Sequence, residues 1–328
     1  MKPTILVTGA DGMLGSHIVR ELIVRGFIVR AFIQPGRKVR TLEGLNIDTF
    51  EGDILNIADV ETAMKDCEYV IHSAASTSIY PARNRKVYDI NLEGTMNVTA
   101  AAAKSNIKRM VHISSASVFN SGDIIAPGNE NGQFTGHSYG LDYINSKYDA
   151  QKVVMKAVYN GLDAVIINPT FMIGAYDSQP GSGSIILAMH KGKILVNPPG
   201  GKNFICVKDV SIAVCNALTM GRKGECYILG NQNLTYKDFL KETGKIINKK
   251  APLFSPPAKF IKLFSLFTQL LSAITKKPPV ISRQVATMSC ENQFFTATKA
   301  VRELSLPQTP ISEGIKEAFS WFKSNGYA

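Results

Sequence analysis

Thr4-Ile5-Leu6-Val7-Thr8-Gly9-Ala10-Asp11-Gly12-Met13-Leu14-Gly15 decides the fold of this chain. An aliphatic, β-branched run reads as a buried strand, and glycines at every third position follow at once, before the helix-like stretch Leu14 to Arg25. In that context each glycine has a use. Gly9 permits a tight turn, Gly12 lets the backbone approach a pyrophosphate, and Gly15 lets the helix pack on the strand, while the helix N-terminus attracts the anion. Asp11, Met13 and Leu14 complete the turn and are expected beside the phosphates.

Strand-like and helix-like segments alternate onward. Strands are predicted at Thr4 to Thr8, Phe27 to Ile33, Ile47 to Glu51, Tyr69 to His72, Arg109 to Ile113 and Ala164 to Asn168. That order predicts an α/β fold with a doubly wound parallel sheet of the NAD(P)-binding Rossmann type, whose ligand crevice lies outside the carboxyl ends of the strands. After Gly174 the alternation breaks at the loop Ala175 to Gly183 and at Pro198-Pro199-Gly200-Gly201. Phe204 to Val207 and Glu225 to Leu229 read as strands returning to the sheet, with Val210 to Met220 helical between them. Residues 1–174 and 203–229 are therefore expected to form the NAD(P)-binding domain, and residues 175–202 and 230–328 a smaller, interleaved substrate-binding domain.

The chain has 328 residues, 45% of them hydrophobic and 19% charged, enough for a sizeable core. Its five cysteines include no C-x-x-C pair and leave one over, which argues against a zinc site and a disulfide framework and predicts inert buried thiols. No metal is expected. The net charge of +11 comes without a nucleic-acid motif or a block of consecutive basic residues, so it reads as general surface charge or as attraction for an anionic small molecule rather than for nucleic acid. The first apolar run is too short for a signal peptide, which predicts a cytoplasmic protein. Between Pro256 and Lys277 lies an apolar segment containing Phe260-Ile261-Lys262-Leu263-Phe264. It is too short and interrupted to span a membrane, so no stable membrane insertion and no vesicle binding are expected. A helix buried in the smaller domain is the expectation there, with a substrate lid, a homodimer face and a membrane-surface helix as alternatives.

The second strand ends in Gln34-Pro35-Gly36-Arg37-Lys38 without a carboxylate to hydrogen-bond a ribose, which favours NADP over NAD and makes Arg37 and Lys38 partners for a 2'-phosphate. Asp53-Ile54 follows the third strand, where Asp53 could accept from an adenine amino group or cap a helix. Ser73-Ala74-Ala75, after the fourth, supplies small residues where backbone must pass close to a ligand. His72 and His112 have no metal-ligand spacing and read as core histidines. Ser114 and Ser115 end the fifth strand, and a serine there could hold a carbonyl oxygen. Tyr143 and Lys147, four residues apart, share one helical face, where the cation is expected to favour the phenolate.

Taken together, Gly9, Gly12, Gly15, Ser115 and Tyr143-x-x-x-Lys147 resemble the extended short-chain dehydrogenase/reductase superfamily, the NAD-dependent epimerase/dehydratase family. Asn91-Leu92-Glu93-Gly94-Thr95, Ile167-Asn168-Pro169-Thr170 and Lys202 to Val210 resemble its dihydroflavonol 4-reductase and 3β-hydroxysteroid dehydrogenase branch. The resemblance implies Tyr143 as the proton donor or acceptor, Lys147 on the nicotinamide ribose, Ser115 at the carbonyl, Asn91 organising a water near the lysine, and Pro169 and Thr170 beside the nicotinamide. It implies hydride transfer between the cofactor and a carbonyl carbon; with the second strand favouring NADP and the Phe- and Leu-rich segment an apolar scaffold, the leading expectation is NADP-dependent reduction of an aldehyde or ketone on a small, apolar substrate. A nucleotide-sugar epimerase or dehydratase with tightly held NAD is the alternative, and a non-catalytic NADP-binding sensor a third reading. Gln34 stands where this branch often carries Arg, which shifts weight to Arg37 and Lys38. Val118-Phe119-Asn120 replaces the Val-Tyr-Gly run of sugar-nucleotide epimerases.

Overall fold

A computed structural model describes residues 2–37 and 39–328, apart from the side chain of Ala273. Seven strands form one sheet: β1 (Thr4–Thr8), β2 (Ile28–Ile33), β3 (Asp48–Glu51), β4 (Tyr69–His72), β5 (Arg109–Ile113), β6 (Ala164–Pro169) and β9 (Cys226–Leu229). Their order is β3-β2-β1-β4-β5-β6-β9, and every pairing is parallel. The order reverses between β1 and β4, which puts the crevice at the carboxyl ends of those two strands.

The pleat sorts side chains into two cores. Ile5 and Val7 of β1 pack with helices α1 (Met13–Val24) and α6 (Val207–Asn216). Leu6, between them, points the other way, toward α2 (Ile57–Met64), α3 (Arg85–Lys104) and α4 (Asp142–Tyr159). Apolar residues on both faces of a strand make it buried on both sides, which is why these strands read as continuous hydrophobic runs.

A smaller sheet consists of β7 (Phe171–Ile173), β8 (Gly201–Cys206), β10 (Gln232–Thr235) and β11 (Asn292–Gln293). A third core joins it to α5 (Ser184–His190), α7 (Tyr236–Ile247) and α11 (Ile311–Ser324), with Phe204 stacked on Phe239 at 4.1 Å. The expected return of residues 204–207 to the large sheet is corrected here: β8 pairs with β7 and β10, and only the strand at 226–229 joins β6. Strand propensity does not specify a partner, and the Gly200–Gly201 approach to Glu291 and Leu234 backbone fits β8 to the smaller sheet. The expected assignment of all of 230–328 to the smaller domain also shifts, since Ala300 and Leu304 of α10 (Thr298–Leu304) pack into the large core with α6.

The apolar segment forms α8 (Ala258–Thr275), followed by α9 (Arg283–Ser289), and it is not the buried helix expected. Its inward stripe is Ile261, Ser265 and Thr268, whereas Phe260, Leu263 and Phe267 face outward. Among the described residues no helix is long and apolar enough to cross a membrane. All five cysteines are unpaired and at least half-buried, and burial pushes the thiols of Cys206, Cys215 and Cys226 up to about 12.

Candidate active site

The glycine turn sits at the carboxyl end of β1. Gly9 has φ +65°, and a Cβ on it would stand 2.7 Å from Ala74 backbone; one on Gly15 would stand 2.0 Å from the Gly9 carbonyl oxygen. Gly12 differs, since its Cβ would meet only the Gly9 oxygen at 3.3 Å. Gly12 also occupies the N-cap of α1 without a capping side chain, and no acidic residue lies in the first turn. The first N–H groups of α1, at Met13 and Leu14, therefore offer uncompensated positive charge to an anion. A cradle that only glycine leaves open, facing such a helix end, fits a dinucleotide pyrophosphate.

A directional hydrogen-bond chain underlies that turn. Ala74 N–H donates to Thr8 Oγ1 at 3.2 Å, and Thr8 Oγ1 lies 2.7 Å from His72 Nδ1. On the far side His72 Nε2 lies 3.1 Å from Thr95 Oγ1, which donates to the Asn91 carbonyl at 2.6 Å. Thr95 spends its proton on Asn91, so His72 carries hydrogen on Nε2 and accepts from Thr8 on Nδ1. Burial, helped by the nearby Lys147 charge, lowers the His72 pKa to about 3 and keeps it neutral. The core reading of this histidine holds, with Ser73-Ala74 fixed through it. His112, its ring tilted by 30° against that of His72 with centroids 5.5 Å apart, is likewise buried and neutral.

Ser115, Tyr143 and Lys147 come together at the end of β5. Ser115 caps a single helical turn, and its hydroxyl lies 2.8 Å from that of Ser117. It is close enough to the Tyr143 phenol to pull its pKa down. Ser114 points into the protein, so pleat geometry selects Ser115 between the two. Lys147, only 5% exposed, donates to the Ile113 carbonyl at 2.9 Å.

The electrostatics differ from the expectation. Burial pushes the Tyr143 phenol above its ordinary value, with Ser115 alone opposing it, and burial drops the Lys147 ammonium to about 8. For each group desolvation is the largest cause, and it disfavours the charged form. The lowering of the phenol by the lysine, expected from spacing, does not appear: burial and Ser115 set it.

Asn91 accepts from Ser76 N–H at 2.8 Å and donates to the Ser76 carbonyl and to Ser146 Oγ at 2.9 Å. It thus ties the loop after β4 to α4 directly, beside Lys147 in sequence. Pro169 ends β6, and Thr170 donates to Asn203 Oδ1 at 2.8 Å, joining the two sheets. Gln34 is exposed at the end of β2. Arg37 pairs with the carboxylate of Asp11 at 2.7 Å, bringing a cation to the glycine turn. Lys38 lies outside the described residues. Asp53 accepts from Leu55 N–H at 3.0 Å, while Asn56, not Asp53, caps α2. Ile54 packs under Gly94, and Ala75 is half-buried in the loop that follows β4.

Sequence reading missed several supports. Asn168, fully buried, donates to the Ser115 carbonyl at 3.0 Å and to Gln151 at 2.8 Å, fixing the strand end that bears Ser115. Lys202 bonds Gln293 at 2.5 Å, and burial lowers its pKa to about 8; Tyr139 donates to Glu291 at 2.6 Å. These partners are remote in sequence, so no spacing could have announced them. Among the described residues no cluster suited to a metal ion occurs.

The model of the "NAD dependent epimerase/dehydratase family" matches residues 5–230. A Synechocystis protein described as "Putative dihydroflavonol 4-reductase" is 32% identical over 100% of this chain and 96% of its own length. "Sterol demethylase protein B" of Methylococcus capsulatus is 28% identical, covering 98% of this chain and 99% of the relative. Among solved structures, gox2253 superposes with a TM-score of 0.88 at 27% identity, over 99% of both chains.

Proposed function

The chain belongs to the NAD dependent epimerase/dehydratase family and is an NAD(P)-dependent oxidoreductase; from this we propose that it reduces the aldehyde or ketone group of a small, apolar substrate, using NADP. One observation carries the reading: Ser115 stands beside the Tyr143 phenol while Lys147, one helical turn on, is buried against the Ile113 carbonyl. Ser115 is proposed to hold the substrate carbonyl oxygen and Tyr143 to donate the proton that this oxygen needs on reduction. A phenol kept protonated by burial suits a proton donor. Lys147 is proposed to bind the nicotinamide ribose, with Asn91 holding α4 in place. When bound, the cofactor supplies the hydride.

The glycine turn, with Asp11, Met13 and Leu14, is proposed to hold the pyrophosphate. Asp53 and Ile54 are proposed on the adenine side, Ser73, Ala74 and Ala75 along the cofactor, and Pro169 and Thr170 beside the nicotinamide. The end of β2, lacking a carboxylate at Gln34, and Arg37 beside the turn favour NADP over NAD. The apolar substrate class rests on two full-length relatives described as "Putative dihydroflavonol 4-reductase" and "Sterol demethylase protein B".

The test is oxidation of NADPH, with NADH in parallel, by the purified protein against a panel of aldehydes and ketones. Turnover with NADPH, lowered about 10²- to 10⁴-fold in Tyr143→Phe with cofactor binding retained, is expected. Protein that purifies with NAD and never consumes it in turnover would overturn the reductase reading in favour of an epimerase or dehydratase.

A further inference from the structure

We propose that α8 and its flanks dock this protein on the surface of an anionic lipid bilayer, without crossing it. The helix is inverted relative to an ordinary amphipathic one. Toward the protein it turns one apolar residue, Ile261, with Ser265 and Thr268, all buried, and Ser272; Thr268 Oγ1 donates to the Ile281 carbonyl at 2.9 Å, and Ser272 lies 3.4 Å from the Tyr80 hydroxyl. Outward it turns Phe260, Leu263, Phe264, Phe267, Leu270 and Ile274, every one more than half exposed. Leu253 and Phe254, just before the helix, are exposed as well. An exposed row of large apolar side chains of this kind marks a contact surface, because leaving it in water is unfavourable.

Charge decides what covers it. From Thr243 to Cys290 the chain carries eight basic residues and no Asp or Glu. Among the described residues none of the eight forms an ion pair. Lys259 and Lys262 lie on the helix itself, and Lys276 and Lys277 end it. A basic cleft of about 470 Å³, lined by Lys241, Lys245, Asn248, Lys249 and Lys250, precedes it. A second copy of this chain would bring like charge against like charge, with no carboxylate in the segment to answer it. Phospholipid headgroups supply the anions and the acyl boundary accepts the Phe and Leu side chains. Ser272 and Tyr80 place the docked helix against the loop that follows β4, whose Ser76 N–H donates to Asn91 of α3.

The inference does not rest on the proposed catalytic chemistry, and its test needs neither cofactor nor substrate. The full chain is floated with phosphatidylcholine vesicles, with and without phosphatidylglycerol, at low and high salt. Binding to the phosphatidylglycerol vesicles at low salt is expected, weakened by salt and by about fivefold for each lysine neutralised in Lys276→Gln and Lys277→Gln. The double variant Phe267→Glu/Leu270→Glu, whose fold is checked by circular dichroism and thermal unfolding, is expected to stay off the vesicles. Failure of the intact chain to float with phosphatidylglycerol vesicles at low salt would overturn the proposal. So would a dimer in solution that ignores vesicles and falls apart in the double variant, which would assign the face to a second copy.

Discussion

Lys147 donates its ammonium hydrogen to the backbone carbonyl of Ile113 across 2.9 Å, and this bond pins α4, the helix of Tyr143, to the strand end that carries Ser115. Burial brings the pKa of that ammonium down to about 8 from an ordinary 10.5. Below pH 8 folded and unfolded chains both hold the proton, and the fold bears the cost of a buried charge. Between pH 8 and 10.5 the folded chain releases it while the unfolded chain keeps it, so this group's effect on stability improves as pH rises. Urea unfolding of the wild type and of Lys147→Met across that window should show the difference moving toward the wild type, by about 3 kcal/mol at most. A difference flat with pH would refute the burial argument.

The three glycines of the turn should fail for different reasons. A Cβ at Gly15 would overlap the Gly9 carbonyl at 2.0 Å, so Gly15→Ala should cost stability by about 1–3 kcal/mol or more. Gly12→Ala meets only one contact, at 3.3 Å, and should leave the melting temperature nearly unchanged while abolishing cofactor binding. Thermal unfolding together with titration of NADPH fluorescence separates the two.

Ser115 pulls the Tyr143 phenol down against the upward push of burial. Removing it in Ser115→Ala should therefore raise the phenol further. Reduction needs the protonated phenol, so the alkaline fall of kcat/KM should move to higher pH in the variant, while the plateau drops about 10²- to 10³-fold from loss of the oxygen's hydrogen bond. A pH profile whose alkaline limb stays put would remove Ser115 from the phenol's environment.

Arg37 is held by Asp11 at 2.7 Å, at the edge of the glycine turn. If it also meets a 2'-phosphate, Arg37→Ala should weaken NADPH binding about 10- to 100-fold and NADH binding far less. Equal losses for both nucleotides would show that Arg37 acts only through Asp11 and the turn.

The glycine turn and the strands up to β6 were legible because each is a local pattern: an apolar run, a glycine spacing, a four-residue helical step. The observed β1, β4 and β5 keep the predicted bounds, and β2, β3 and β6 differ by one residue at an end. Ser115, Tyr143 and Lys147 were nameable for the same reason. Asn168 beneath Ser115, the Thr8-His72-Thr95 chain and the Lys202–Gln293 pair were not, since each joins segments that only folding brings together.

By itself the sequence determined the doubly wound sheet and the residues that could move a proton, because helix and strand periods and glycine conformations are local properties of the chain. Only the tertiary structure decided three other matters. It sent β8 to the smaller sheet, because strand propensity is silent about partners. It set the phenol and the ammonium by burial rather than by their mutual attraction, because desolvation depends on everything that surrounds them. It also turned most of α8's apolar side chains outward, because the protein holds that helix by Ile261, Thr268 and Ser272, and its phenylalanines and leucines have no core to enter.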